Sequence, residues 1–92
     1  HVHKGSIENA YSILNGEYEV IEAEIIETSE LINKELKNSN LPDEIRIGAI
    51  LRGEEIIIPR SNFIFQKKDI VVFLAKINQL PLVENMFRIS SI

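Results

Sequence analysis

Two arginines flank a short apolar hairpin in this 92-residue chain, and of all its side chains they are the best suited to hold a ligand. Arg52 follows the run IRIGAIL at 45–51 and precedes Gly53, while Arg60 follows Ile56-Ile57-Ile58-Pro59. A guanidinium is a planar fork that matches phosphate or carboxylate, so one at each end of a hairpin could line a small anionic pocket. The competing reading pairs Arg52 with Glu54 or Glu55 and leaves Arg60 solvated, since surface ion pairs are common and weak.

The remaining reactive side chains offer less. His1 and His3 are the only histidines. An i, i+2 pair at a terminus falls short of the three or four converging ligands of a structural metal site, so both read as a frayed end. Carboxylates occur in close pairs as Glu17/Glu19, Glu22/Glu24 and Glu54/Glu55. Acid–base work needs two carboxylates facing each other across a cleft, with one held at raised pKa. Members of an i, i+2 pair share one strand face instead, so solvated faces explain them better. No serine sits in a nucleophile motif, and neither GxGxxG nor GxxxxGK[ST] occurs. The chain reads as a non-enzyme.

Fourteen acids against ten bases give a formal charge of −4, and the only adjacent basic pair is Lys67-Lys68. Nucleic-acid faces are built from clustered Lys and Arg, so no nucleic-acid partner is expected. With no cysteine there is no disulfide, thiolate catalyst or Cys-ligated metal. No apolar run approaches the roughly 18–20 residues of a membrane span, and the N-terminus lacks a signal-peptide core. Beginning at His1-Val2 without methionine, the chain reads as a piece of something larger.

The elements that must position Arg52 and Arg60 lie in 45–75, around which the rest is expected to pack. Ile45, Ile47, Ala49 and Leu51 alternate with Arg46, Gly48, Ile50 and Arg52, the two-residue period of a strand. A second strand spans 55–58 and ends at Pro59, which cannot donate to a ladder. After the polar turn 66–69, the run 70–75 (IVVFLA) reads as a strand covered on both faces. Upstream, Asn15-Gly16 between apolar runs predicts a hairpin joining strands 6–14 and 17–26. Thr28 or Ser29 could cap a short helix carrying Leu31, Ile32 and Leu36. Ile77, Leu80, Val83 and Phe87 predict a second helix, with Pro81 in or near its first turn. The fold class is α+β: a small, mostly antiparallel sheet with two helices. Ile56-Ile57-Ile58 and the 70–74 run are more apolar than one buried face requires. Either a helix of the same chain covers the surplus, or a second copy does.

In this order and spacing, EYEVIEAEI, SELINKELKNSNLPDEIRIGAILRGEEIIIPRSN and KKDIVVFLA resemble the C-terminal domain of the regulator of potassium conductance. This is the RCK-C or TrkA-C module of bacterial Trk-type potassium uptake systems. The leading stretch resembles the segment that connects it to a preceding nucleotide-binding domain, which divides the chain into a connecting strand at 1–16 and the regulatory domain at 17–92. The resemblance implies a cytoplasmic module peripheral to the inner face of the membrane. It would form a homodimer and act on a membrane potassium-translocating subunit through the full-length protein. NAD or ATP would bind a Rossmann domain upstream, leaving no cofactor for these residues.

Some relatives hold cyclic di-AMP at the dimer interface, and carrying that site over by position gives Ile50, Arg52, Ile58 and Pro59 as contacts, with Arg60 and Asn62 adjacent. The alternative is a purely structural dimerisation module of another transporter or antiporter, without ligand. Three stretches depart from the family pattern. Lys68 replaces the Gly of a Gly-Asp turn and implies a differently shaped turn. Asn33 replaces another Gly but tolerates the left-handed conformation. Arg60-Ser61-Asn62 replaces a Pro-x-Gly-Asp-like stretch.

Overall fold

Alternating apolar and polar residues build five strands, and a computed structural model describes residues 7–87 of the chain. The strands are β1 (Ile7–Ile13), β2 (Tyr18–Glu24), β3 (Ile45–Arg52), β4 (Glu55–Ile57) and β5 (Ile70–Lys76), followed by helix α1 (Leu80–Phe87). They form one antiparallel sheet in the order β1-β2-β5-β3-β4. β5 lies at its centre, as suits the most apolar strand. The expected first hairpin is present, but its connection covers four residues, Leu14 to Glu17, since Ile13 pairs with Tyr18. Leu14, Asn15 and Gly16 all have positive φ there. The calls on His1, His3 and Ser6 lie outside the described residues.

One face of the sheet carries the core. Ile21 and Ala23 of β2, Ile45 and Ile50 of β3, and Val71, Phe73 and Ala75 of β5 are buried there. Leu80, Val83 and Phe87 of α1 close over them, with Leu31 and Phe65 from the connecting segments. The Phe87 ring stacks on Phe73 with centroids 5.2 Å apart. Pro81 is the second residue of α1, where the lost N–H has no intrahelical partner to miss. Ile77, expected on the helical face, lies in the preceding 3-10 turn and is exposed. The strand at 70–75 is covered on one face only, because Ile70, Val72 and Leu74 are half-buried on the other.

Only one of the two expected helices forms. Residues 27–34 make turns, and Leu36–Asn38 is a single 3-10 turn. The segment bonds instead to residues 61–65 through Asn33 N–H to Phe65 O (2.9 Å), Phe65 N–H to Lys34 O (3.1 Å) and Leu36 N–H to Phe63 O (2.8 Å). A short helix has a costly nucleus and few bonds to offset it, so pairing with a neighbouring segment prevails. Asn33 (φ 64) and Asn40 (φ 60) take left-handed conformations that would interrupt a helix in any case. Ser29, considered as a helix cap, accepts from Leu31 N–H (3.1 Å) and donates to Met86 O (2.8 Å), tying this segment to the end of α1.

Candidate functional site

The β3–β4 hairpin turns through Gly53 and Glu54, because Arg52 and Glu55 are the last paired residues. Gly53 has φ 62, the conformation a two-residue hairpin turn with glycine first requires. At this turn Arg52 finds a partner that local spacing did not offer. Its Nε donates to Asp69 Oδ1 and its Nη2 to Asp69 Oδ2, both at 2.8 Å. Nη2 also donates to Ile64 O at 3.1 Å. The guanidinium carbon sits 5.0 Å from the centroid of the Phe63 ring. Neither Glu54 nor Glu55 is the ion-pair partner. The fork is spanned by a carboxylate 17 residues away, whose Oδ2 also accepts Gln66 N–H at 2.9 Å.

Asp69 is 1% exposed and Arg52 32%. A carboxylate this deep needs its hydrogen bonds, and Arg52 supplies two in the bidentate geometry that only a guanidinium offers. The bond to Asp69 is the largest influence on Arg52 and holds its pKa above the ordinary arginine value, against the opposing effect of burial. The pair therefore clamps the β3–β4 hairpin to the loop leading into β5. Lys68, beside Asp69, adopts φ 76, a conformation that favours glycine. The lysine thus occupies the left-handed region itself, and its N–H bonds Ile25 O at 2.7 Å.

The other residues expected at the site divide into two groups. Ile50 points into the core and is 0% exposed, so it offers no surface to a ligand. Ile58, Arg60 and Asn62 are exposed, and Ile56 is as open as Ile58. Pro59 is half-buried at the edge of a cavity of about 310 Å³ between β3 and the 36–43 segment, which also bears Lys37 and Arg46. The structure thus leaves Ile58 and Arg60 exposed beside half-buried Pro59, while Ile50 is buried and Arg52 is engaged by Asp69. Sequence reasoning missed Asp69 and Phe63 as partners of Arg52. The available signal was an aspartate directly before the most apolar strand, where a carboxylate must find a cation. Among the described residues no group of three or more His, Cys, Asp or Glu gathers as metal ligands. No helix among the described residues is long and apolar enough to cross a membrane.

What the arrangement offers is an apolar, cation-bearing corner on a hairpin pinned at its turn end. Comparisons with known proteins bear on whose corner this is. The model of the TrkA-C domain matches residues 20–88. The Trk system potassium uptake protein TrkA of Azorhizobium caulinodans is 37% identical over 90 residues, covering 98% of this chain and 20% of that protein. Its counterpart in Haemophilus influenzae is 34% identical over 95 residues, covering 99% and 21%. A TrkA homolog of Archaeoglobus fulgidus is 34% identical over 64 residues, covering 70% and 15%. The chain spans about a fifth of the length of the first two relatives. With its one-sided antiparallel sheet, its clamped hairpin and these matches, the chain belongs to the TrkA-C domain family.

Proposed function

We propose that this chain is the regulatory domain of a Trk-type potassium uptake protein, non-catalytic and dimeric, which senses a small nucleotide at the β3–β4 hairpin. It would work in the cytoplasm, against the inner face of the membrane. Through the full-length protein, its state would reach a membrane potassium-translocating subunit. Coupling of this kind needs a ligand that prefers one arrangement of the domain over another. The observation that carries the reading is the corner formed by exposed Ile58 and Arg60 beside Pro59, on a hairpin held by Arg52 and Asp69. An apolar ledge with one open cation suits a base and a phosphate together. NAD or ATP would bind an upstream domain, so neither should bind residues 1–92.

A melting curve with and without cyclic di-AMP tests this. A ligand specific to the folded state at one hundred times its Kd adds about 2.7 kcal/mol, a shift of many degrees in a domain this small. Arg60→Ala and Ile58→Ser, both at exposed positions, should remove the shift while leaving the ligand-free melt unchanged. One observation favours the alternative of a structural dimerisation module without ligand. Nε and Nη2 of Arg52 are already taken by Asp69 and Ile64 O, which leaves only Nη1 for an incoming phosphate. Absence of any shift with cyclic di-AMP would support that reading.

A further inference from the structure

Bases that are scattered along the sequence are gathered by the fold. Residues 33–37 bond to 61–65, with Leu36 N–H on Phe63 O and Lys37 N–H on Ser61 O, and Glu35 bridges Ile64. This pairing sets Lys37 beside Arg60 at one end of a ribbon. At the other end Lys34, whose carbonyl accepts Phe65 N–H, lies near the turn that bears Lys67 and Lys68. All five of these bases are exposed. Four of them, Lys34, Lys37, Arg60 and Lys68, form no ion pair among the described residues. Lys67 reaches Glu27 at 3.8 Å, with both side chains more than half exposed, so that pair is weak and open to exchange.

On residues 27–38 and 60–69 the acids are Glu27, Glu30, Glu35 and Asp69. Asp69 is buried and held by Arg52, and Glu35 is half-buried and accepts from Asn38 Nδ2 at 3.2 Å. Cations therefore prevail along the ribbon of a chain whose net charge is −4. Between its two basic ends Ile64 stands 46% exposed. The ends lie about 13 Å apart, four residues at about 3.3 Å each. That span decides the kind of partner. Lys37 lines one cavity while Lys67 and Lys68 line another, so a single phosphate or carboxylate meets one end only. A duplex or a membrane surface runs on past the ribbon and meets the acids that dominate the rest of the molecule. A short extended segment spans the ribbon and stops. Its residues i, i+2 and i+4 share one side and cover the same distance, so two acids flanking an apolar residue match two basic ends flanking Ile64.

We propose that the ribbon of residues 33–37 and 60–68 docks an extended acidic segment of a partner protein. Its carboxylates would meet Lys37 and Arg60 at one end and Lys34 and Lys68 at the other, with an apolar side chain on Ile64. Neither a nucleotide nor a second copy enters this contact, so it goes beyond the proposed function and is tested apart from it. A fluorescein-labelled peptide, Glu-Glu-Ser-Leu-Ser-Glu-Glu, titrated with the 92-residue chain at low salt should bind by anisotropy, and binding should weaken as salt rises. Lys34→Glu and Lys37→Glu, both at exposed positions, should each weaken it about fivefold and leave the melting curve unchanged. Lys76→Glu makes the same charge change off the ribbon, where Lys76 already faces Glu44 at 3.7 Å, and should leave peptide binding as it is. If Lys76→Glu weakens binding as much as Lys34→Glu does, the attraction is general and the ribbon is not the site. Absence of peptide binding at low salt overturns the proposal, as does co-sedimentation with vesicles of anionic phospholipid in its place.

Discussion

The carboxylate of Asp69 is almost wholly buried while Arg52 keeps about a third of its side chain in solvent, so deleting one or the other leaves different wreckage. Arg52→Ala strands a buried charge with Gln66 N–H as its remaining bond, which should cost about 3 kcal/mol in urea denaturation. Asp69→Ala leaves a guanidinium free to turn outward and should cost less, about 1–2 kcal/mol. A larger loss for Asp69→Ala would show that the clamp works through its bond to Gln66 more than through charge. The pH dependence follows from Arg52. Its folded pKa is raised, so the stability it contributes is fully present below the ordinary arginine value and is lost only as pH climbs through the higher folded value. Titration of this arginine should therefore leave stability unchanged across neutral and mildly alkaline pH. Lys68 at φ 76 is a second local test. Lys68→Gly should relieve left-handed strain and add about 0.5–1 kcal/mol, raising the melting temperature by a few degrees.

At the scale of elements, the strands stand on a two-residue period that is local, whereas the 27–38 segment depends on what lies across from it. Its residues 33–37 are bonded to residues 61–65, and Ser29 joins the segment to the end of α1 through Met86 O. Ser29→Ala removes both the bond to Met86 and the acceptor for Leu31 N–H, and should cost about 1–2 kcal/mol. Hydrogen exchange should then speed up at Glu30 and Leu31 before it does in β2 or β5; uniform acceleration would mean that the tie is not local. The apolar positions Leu31, Ile32 and Leu36 suggested a helix by their spacing, and only the pairing partner 30 residues away reveals why none forms. The C-terminal helix was legible because Leu80, Val83 and Phe87 recur on one face and Pro81 suits a first turn.

For the molecule as a whole, a net charge of −4 with scattered bases disfavours attraction to phosphate backbones. A labelled DNA duplex should show no change in anisotropy at moderate salt up to about 100 μM protein, where ordinary non-specific binders already respond. By itself the sequence determined the strand positions, the antiparallel sheet and the family, because periodicity, turn residues and ordered motifs are local properties of the chain. Tertiary structure alone decided that Arg52 meets Asp69 rather than Glu54 or Glu55, that Ile50 is hidden while Ile56 and Ile58 are open, and that one sheet face is only half-buried. Each of these depends on which distant segments the fold brings within a few ångströms, and a contact between residues far apart in the chain leaves no trace in the spacing around either one.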